Sequence, residues 1–344
     1  MLDQTPWYRN ESRMFHSERG MPNFPNYESL LEMMPASQTW PPTRMWGIHD
    51  FALQSAQRGQ TFIDAVEAYF GPTHDGQTFA ERAQWVNYDG YRAMFESRSR
   101  ERRGLLLWMS HPAWPSMAFC TYDWFLDGTA AYYACRKACE PLHIQWNPST
   151  ERVEVVNYSA GEQRGLRAVA TLYTADGVTA AGRDTTLMVR EDTTTQLFGM
   201  DFSQAGLNGN PRWGHQVCFL RLQLFDGTMP VSHNDYVIAA EEDNLRQINT
   251  LPSAHIKLVH KPTRQGQPAT IVVSNTSDTP ALMLHFVARR GDGTHILPTF
   301  WSDNYIHLMP GEERTLTYTT PDDASHAMIE VRGFNVPLVE MIAR

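Results

Sequence analysis

The spacing of hydrophobic residues changes near residue 141. Before this point, apolar residues recur every three or four positions in 61–70 and 78–95. This spacing predicts two amphipathic helices, and a third is expected at about 128–138. Short apolar runs just before residue 18 and at 105–109 predict strands on either side of the first two helices. The order strand, helices, strand, helix is typical of a parallel α/β fold.

After residue 141 the apolar period is two, which predicts strands instead of helices. Turn signals such as Asp226-Gly227 separate about seven short runs, a pattern typical of a β-sandwich. A second set of alternating runs follows a linker at 241–252: 254–259, 270–275, 282–289, 305–308, 313–319 and 328–331. The sequence therefore predicts three units: an α/β unit at 1–140 and two sandwiches at 141–243 and 244–344.

The composition and charge of the chain limit the kinds of molecule that are expected to bind it. The chain has 344 residues, 42% of them hydrophobic and 19% charged, as in an ordinary soluble globular protein. A formal net charge of -9 disfavours nucleic acid, and the single cationic cluster, at 98–103, is interpreted as a solvated helix end. No apolar stretch approaches the roughly 20 residues that span a bilayer, and the N-terminus lacks the pattern of a signal peptide. Neither nucleic acid nor membrane is an expected partner.

Four cysteines do not form a disulfide framework in a chain of this length. Cys135 and Cys139 lie four residues apart and share a predicted helix face, but a zinc site needs two further ligands at short spacing. We interpret the cysteines as buried free thiols. No metal and no cofactor is expected.

The candidate chemistry centres on Glu18. This carboxylate follows a short apolar-leaning run and precedes the turn formed by Gly20 and Pro22. Barrel enzymes present catalytic acids in this way, at the C-terminal end of a strand. Aromatic residues nearby, Phe24 among them, are expected to stack on the apolar face of a sugar, while the carboxylate stabilises positive charge at the anomeric carbon. A glutamate beside a turn is, however, more often simply solvated.

A second segment supplies three candidate substrate-binding residues: Trp108, His111 and Trp114. Trp108 ends an apolar run and is equally well interpreted as a core residue. A lone loop histidine such as His111 is more often simply exposed. Asp123 is a weaker candidate for the second carboxylate that sugar hydrolysis normally requires. The chain has no Gly-x-Ser-x-Gly elbow, no P-loop lysine and no dinucleotide-binding glycine fingerprint.

Taken together, these motifs resemble glycoside hydrolase family 2, and most closely the branch of exo-β-D-glucosaminidases, β-mannosidases and plant-type endo-β-mannosidases. The likeness covers nearly the whole chain and is carried by Phe15-His16-Ser17-Glu18, Trp40-Pro41-Pro42, Ala83-Gln84, Asn87-Tyr88, Trp108-Met109, Ala113-Trp114-Pro115-Ser116, Lys137-Ala138-Cys139-Glu140-Pro141, Leu251-Pro252 and Trp301-Ser302-Asp303-Asn304-Tyr305. Members of this family look like multidomain enzymes that combine a sugar-binding domain, a TIM barrel and immunoglobulin-like domains.

The resemblance implies a specific fold and set of roles. The chain looks like the C-terminal part of a (β/α)8 barrel, strands seven and eight, followed by two immunoglobulin-like β-sandwiches. Glu18 falls on the family's catalytic nucleophile, and Trp108 falls at the bottom of the sugar pocket. The family's acid/base glutamate is expected upstream of this chain. His111 departs from the asparagine expected at its position, which leaves the substrate subtype open.

These implications give an expected function. The chain is expected to belong to a retaining β-glycosidase that hydrolyses β-linked glucosamine, mannose or a related sugar, and to be nearly inactive without the acid/base residue. Two strands cannot close a barrel, so 1–140 is expected to need the missing N-terminal part of the enzyme. The alternative is a non-catalytic carbohydrate-binding or scaffold protein. Family members are often secreted or periplasmic, and the sequence leaves the compartment open.

Overall fold

The computed structural model describes residues 16–54, 58–97, 104–207, 216–241, 244–261, 267–321 and 327–342. The cationic cluster at 98–103 lies outside these residues. Within them, no helix is long and apolar enough to cross a membrane.

The described part of the N-terminal unit contains two short parallel strands and five α-helices. Strand β1 (His16–Arg19) pairs with β2 (Leu105–Leu107) in parallel. The helices are α1 (Tyr27–Met33), α2 (Arg44–Ile48), α3 (Gly59–Phe70), α4 (Gly76–Glu96) and α5 (Ala130–Ala138). The three helices predicted from apolar spacing are confirmed to within about two residues at each end. Helices α1 and α2 were not predicted, because one or two turns are too short to show a clear period.

Helix α4 is the structural centre of this unit. Its N-terminus is capped by Asp75, whose side chain accepts a hydrogen bond from the Thr78 N–H (2.8 Å). Fifteen of its 21 residues are buried, far more than one face of an amphipathic helix. Five of the buried residues are polar or charged and need partners: Gln84, Asn87, Asp89, Arg92 and Glu96.

The strands predicted after residue 141 form two antiparallel sheets before residue 240. Strands β3 (Leu142–Asn147), β4 (Arg152–Asn157) and β7 (Thr193–Gln196) form one sheet in the order β3-β4-β7. Strands β5 (Gln163–Tyr173), β6 (Thr179–Val189), β8 (Val217–Asp226) and β9 (Met229–Ala239) form the other in the order β6-β5-β8-β9. A shared apolar cluster that includes Ile144, Val155 and Leu220 lies between the two sheets.

The C-terminal β unit also contains two four-stranded sheets. One has the order β10-β11-β15-β13 and the other β14-β12-β16-β17. Their strands are β10 (Ile256–Lys261), β11 (Ala269–Asn275), β12 (Ala281–Arg289), β13 (Phe300–Trp301), β14 (Ile306–Leu308), β15 (Glu313–Thr319), β16 (Met328–Gly333) and β17 (Val336–Ile342). Six of these strands match predicted runs. β13 and β17 were missed, because β13 has only two residues and Pro337 weakens the strand signal of β17.

The helical unit and the C-terminal sandwich share one hydrophobic core. The Phe334 ring lies 5.3 Å from Phe70 and 5.5 Å from Trp85, centroid to centroid. Trp85 also lies 5.3 Å from His307, and Tyr133 lies 5.8 Å from Tyr305. Aromatic rings at these separations pack favourably, so the C-terminal sandwich is part of the framework that holds the helices.

A buried polar cluster joins α4 to the first sandwich. The Glu96 carboxylate is fully buried and accepts hydrogen bonds from His143 Nε2 (2.9 Å), Asn234 Nδ2 (2.7 Å) and Tyr236 Oη (2.8 Å). One turn earlier, Arg92 donates to Asn234 Oδ1 (2.9 Å) and stacks over the Tyr236 ring at 4.1 Å. We call Arg92, Glu96, His143, Asn234 and Tyr236 the α4 clamp.

His143 is the titrating member of the α4 clamp. Burial by itself would lower its pKa, but hydrogen bonds to Glu140 and Glu96 outweigh burial and raise the pKa above its usual value. Burial likewise opposes the charge on Glu140, yet the bond from His143 and the charge of Lys137 hold the pKa of Glu140 at about 2. The two carboxylates that flank His143 at the joint therefore favour its protonated form.

Removing the central carboxylate is expected to destabilise the protein. Glu96→Ala leaves buried donors on His143, Asn234 and Tyr236 without their acceptor, so the free energy of unfolding should fall by about 3–5 kcal/mol. Urea denaturation measures this change. Glu32→Ala, which removes an exposed carboxylate on α1, is the matched control and should stay within about 0.5 kcal/mol of wild type. If Glu96→Ala changes the unfolding free energy as little as the control does, the α4 clamp does not stabilise the protein as described.

The stability that His143 contributes is expected to depend on pH. Its folded pKa lies above its unfolded value, so its contribution is complete below an unfolded pKa of about 6.5 and is lost as pH rises through the folded pKa. The difference in unfolding free energy between wild type and His143→Gln should therefore be larger at pH 6 than at pH 9. Urea denaturation at both pH values measures this difference. A difference in unfolding free energy that does not change with pH would contradict the proposed interaction of His143 with Glu96 and Glu140.

Candidate active site

A cavity of about 430 Å³ opens where strands β1 and β2 end. It is lined by Glu18, Arg19, Gly20, Asp50, Trp108, Met109, Ser116, Ala118 and Phe119. We call it the Glu18 cavity. Two of the residues predicted from sequence, Glu18 and Trp108, therefore lie on the wall of one cavity, and both side chains are exposed to it and to solvent.

Close backbone contact brings Glu18 and Trp108 together. The Trp108 N–H donates to the Arg19 carbonyl (2.7 Å), which continues the parallel pairing one residue past β2. A Cβ at Gly20 would lie 1.7 Å from the Trp108 carbonyl oxygen. Only glycine permits this approach. The Trp108–Met109 peptide bond is cis, and the Met109 N–H donates to the Phe119 carbonyl (2.9 Å).

Buried amide side chains hold the segment that follows Glu18. Asn87 on α4 pairs with Phe24 in both directions: its Nδ2 donates to the Phe24 carbonyl (2.8 Å) and its Oδ1 accepts from the Phe24 N–H (3.2 Å). Gln84 Nε2 donates to the carbonyls of Phe24 (2.9 Å) and Pro25 (3.1 Å), and Gln84 Oε1 accepts from the Ala130 N–H (3.0 Å). Helix α4 thus fixes both this segment and the start of α5.

A second pair of amides joins the same segment to distant parts of the chain. Asn23 donates to the Cys120 carbonyl and accepts from the Cys120 N–H (3.0 Å), which connects the segment to the residue after Phe119 of the cavity lining. Asn26 Oδ1 accepts from the Tyr305 hydroxyl of the C-terminal sandwich (2.8 Å), and its Nδ2 donates to Asp127 (2.8 Å). Residues 20–26 are therefore anchored at several points.

The prediction that Phe24 binds substrate is wrong. Its side chain is 1% exposed and lies in the core of the helical unit, 4.9 Å from the Phe79 ring and 5.1 Å from the Trp46 ring. The hydrogen bonds between Asn87 and the main chain of Phe24, which fix the segment, also orient the Phe24 ring toward the core. Trp7 and Tyr8, the other aromatics near Glu18 upstream, lie outside the described residues.

Trp114 lies beside the Glu18 cavity and does not line it. Its indole Nε1 donates to Asp50 Oδ2 (2.8 Å), and its ring stacks on His49 at 5.8 Å. His49 Nδ1 is 2.8 Å from the Pro115 carbonyl oxygen. The loop that carries Trp114 is therefore attached to the turn after α2, and Asp50 is the residue of that turn that reaches the cavity wall. Sequence reasoning missed Asp50, because no motif or periodic position marks it.

His111 is also set back from the cavity wall. Its ring stacks on Tyr122 at 5.0 Å and Trp124 at 6.1 Å, and its Nε2 is buried without a hydrogen-bond partner among the described residues. Its assignment to substrate stays a prediction.

Asp123 has a structural role that explains its position. Its Oδ1 accepts from the backbone N–H groups of Phe125 (2.9 Å) and Asp127 (3.0 Å), as in a side-chain-stabilised turn. Burial raises the pKa of Asp123, and burial together with the charge of Asp123 raises the pKa of Asp127 well above its usual value. Asp123 does not line the Glu18 cavity.

No group of three or more histidine, cysteine, aspartate or glutamate side chains in the described part of the chain is arranged to hold a metal ion. All four cysteines are free thiols; Cys120 and Cys218 are buried, whereas Cys139 is exposed.

The sequence of this chain is similar to the sequences of known glycosidases. Residues 234–336 match the family model described as an exo-β-D-glucosaminidase Ig-fold domain. Exo-β-D-glucosaminidase of Amycolatopsis orientalis is 27% identical over 91% of this chain and 33% of its own length. Mannosylglycoprotein endo-β-mannosidase of Lilium longiflorum is 32% identical over 40% of this chain and 14% of its own length. The homologues are thus glycosidases of the family 2 branch that holds exo-β-glucosaminidases and β-mannosidases.

Solved structures show the same fold. The crystal structure of A. orientalis exo-chitosanase CsxA superposes with a TM-score of 0.86 at 24% identity and covers 99% of this chain and 45% of that chain. β-D-Mannosidase from Dictyoglomus thermophilum superposes with a TM-score of 0.75 at 16% identity and covers 97% of this chain. The chain spans 33–39% of the length of three curated exo-β-D-glucosaminidases. It therefore corresponds to the C-terminal part of such enzymes.

The glycine beside Glu18 is expected to tolerate no side chain. Gly20→Ala places a Cβ against the Trp108 carbonyl and must separate the two backbones, at a cost of about 1–3 kcal/mol in unfolding free energy. Thermal denaturation measures the loss. Gly47→Ala on α2 is the matched control, because a Cβ there meets nothing within 4 Å. If the two variants unfold at the same temperature, the close approach is not required.

Proposed function

We propose that Glu18 is the nucleophile of a retaining β-glycosidase and that this chain forms the C-terminal part of its catalytic unit. The observation that carries the proposal is that Glu18 and Trp108 line one cavity at the ends of two parallel strands. A carboxylate beside an exposed indole suits a sugar, since the ring stacks on the apolar sugar face while the carboxylate faces the anomeric carbon.

The catalytic unit is proposed to be a (β/α)8 barrel in which β1 and β2 are the last two strands. Their parallel pairing and the helices between them support this arrangement. Leu106 on β2 is 57% exposed, which fits a strand that is covered by further chain in the complete protein. In this scheme 1–140 belongs to the barrel, and 141–243 and 244–344 are immunoglobulin-like domains.

Two carboxyl groups are needed for the reaction. In retaining enzymes they lie about 5–5.5 Å apart. Glu18 attacks the anomeric carbon, the glycosidic bond breaks, and the leaving oxygen takes a proton from the acid/base carboxyl. Water then hydrolyses the glycosyl–Glu18 ester with the same group acting as base. We place the acid/base residue outside this chain, and on that basis the isolated chain is nearly inactive.

The buried amide network supports a precise position for Glu18. Asn23, Asn26, Gln84 and Asn87 hold residues 20–26, which follow it closely, so the strand end cannot shift without breaking buried hydrogen bonds. A nucleophile must be held in this way if it is to meet the anomeric carbon at reacting distance. A spacer module has no need of such support beside a solvent-exposed carboxylate. The relatives' names favour a β-glucosaminide or a β-mannoside as the substrate.

The second candidate is a non-catalytic carbohydrate-binding or scaffold protein. Two β-sandwiches make up most of the described chain, and such modules bind sugars or act as spacers. In such a protein Glu18 would catalyse no reaction, and Trp108 would still bind a sugar.

Replacing the nucleophile separates the two candidates. In the complete protein, Glu18→Gln should reduce hydrolysis of a chromogenic β-glucosaminide or β-mannoside to background, because the neutral amide cannot form the covalent intermediate. A 2-deoxy-2-fluoro glycoside should leave its sugar on the wild-type peptide that contains Glu18, as seen by mass spectrometry, and should leave the variant unlabelled.

Glu32→Gln is the control, since Glu32 is exposed on α1 and does not line the Glu18 cavity. If Glu18→Gln keeps wild-type turnover, or if the label attaches to another residue, the nucleophile assignment is wrong. If neither protein hydrolyses any β-glycoside but both bind sugar, the binding-module candidate is favoured.

A further inference from the structure

Residues 20–26, which follow Glu18, belong to no helix or strand. Because no main-chain ladder fixes such a stretch, its position depends on the side chains that bond it. The stretch begins where Gly20 lies against the Trp108 carbonyl and ends at Asn26, the residue before α1. A group that holds Asn26 therefore holds the far end of the stretch whose near end is two residues from Glu18.

Tyr305 of the C-terminal sandwich holds Asn26. Its hydroxyl donates to Asn26 Oδ1 (2.8 Å), and the two residues are only 3% and 2% exposed. Asn26 Nδ2 donates to Asp127 (2.8 Å), so both ends of the amide are bonded and its orientation is fixed. Burial raises the pKa of the Tyr305 hydroxyl well above its usual value, so the hydroxyl remains a donor across the neutral pH range.

The conformation of Tyr305 is itself unusual. Its φ is +56°, in the left-handed region that bulky residues rarely adopt. Asn304 stabilises this conformation, because its Oδ1 accepts from the N–H groups of Tyr305 (2.9 Å) and Phe286 (2.9 Å). The His285 ring stacks on the Tyr305 ring at 4.6 Å. Strained residues persist only where their surroundings impose the conformation, and they are concentrated at functional sites.

We infer that Tyr305 is a positioning residue for Glu18, and that it acts through its hydrogen bond to Asn26. This rests on the proposed function and makes the C-terminal sandwich a part of the chain on which the reaction depends. Tyr305 does not line the Glu18 cavity, so its effect reaches the reaction through the main chain that it holds.

Position affects the rate because Glu18 must meet the anomeric carbon twice. It does so first when the glycosyl ester forms and again when water breaks that ester. A misplacement of about 1 Å, even one caused far from the chemistry, can cost on the order of 100-fold in rate. The other anchors of residues 20–26 remain when the Tyr305 bond is lost, so a smaller effect is expected.

The test removes the hydroxyl of Tyr305 and keeps its ring. In the complete protein, Tyr305→Phe should lower kcat about 3- to 30-fold and change KM less than about twofold, because the cavity wall is intact and the nucleophile is less precisely held. The substrate is 4-nitrophenyl β-D-glucosaminide or β-D-mannoside, whichever wild type hydrolyses faster. The rate at which the 2-deoxy-2-fluoro glycoside labels Glu18 should also fall.

Tyr318→Phe is the matched control. Tyr318 is a buried tyrosine of the same sandwich, 2% exposed, and its hydroxyl forms no hydrogen bond with residues 20–26. This variant should keep the wild-type kcat, KM and labelling rate. If Tyr318→Phe slows the reaction as much as Tyr305→Phe does, the inference is overturned.

A double variant tests the route through Asn26. Asn26→Ser keeps a good N-cap residue for α1 and removes the acceptor of the Tyr305 bond, so it should also lower kcat. It is the variant to rely on if Tyr305→Phe does not fold. Adding Tyr305→Phe to Asn26→Ser should lower kcat no further, because the hydroxyl then has nothing to hold. A further loss would show that Tyr305 acts by another route and would overturn the inference.

The inference is also overturned if Tyr305→Phe lowers the free energy of unfolding in urea and leaves kcat and the labelling rate of the folded protein unchanged, which is the result of a purely structural role. That outcome leaves the glycosidase standing, since Glu18 is still labelled. If wild type itself is not labelled at Glu18, the nucleophile assignment fails, and the role of Tyr305 fails with it.

Discussion

The requirement that buried polar side chains be hydrogen-bonded controls the arrangement of this protein around its longest helix. Helix α4 is too enclosed to expose its polar residues to water, and four of its five buried polar or charged residues find a partner on another part of the chain. Gln84 and Asn87 bond the main chain after Glu18, and Arg92 and Glu96 bond the first sandwich. One helix thereby fixes the candidate nucleophile and the neighbouring domain in the same frame.

The C-terminal sandwich contributes to the candidate site from the opposite side. Its Tyr305 hydroxyl bonds Asn26 directly, and its Phe334 completes the aromatic core beneath α3 and α4. Arg221 of the first sandwich forms a salt bridge with Glu312 of the second, so the two β units are also joined to each other. Because these contacts are buried and polar or aromatic, each unit limits the movement of the others. The sandwiches are therefore better described as supports of the site than as spacers.

How much of the site could be predicted from sequence depended on whether the signal was local. Glu18 and Trp108 could be chosen as candidates, because a carboxylate at a strand end and an aromatic at the next strand end are visible in short segments, and both residues line one cavity. Phe24 failed because an aromatic near a catalytic residue has the same local signal whether it faces a ligand or the core. Asp50 was missed for the opposite reason. Its side chain is oriented by a hydrogen bond from Trp114, 64 residues away, and no local sequence pattern indicates that bond.

The sequence by itself determined the longer helices and most strands and their division into helical and β-rich parts, because the periods of 3.6 and two are set by the geometry of each element and the need to bury one face. It also indicated that Glu18 lies near the end of a strand, and β1 ends one residue later, at Arg19. The tertiary structure alone decided which polar side chains met: Asn26 and Tyr305 are 279 residues apart, and Glu96 and Asn234 are 138 apart. Such pairs follow from how the units pack, since a buried donor accepts any suitably placed partner and nothing in the neighbouring sequence specifies which one.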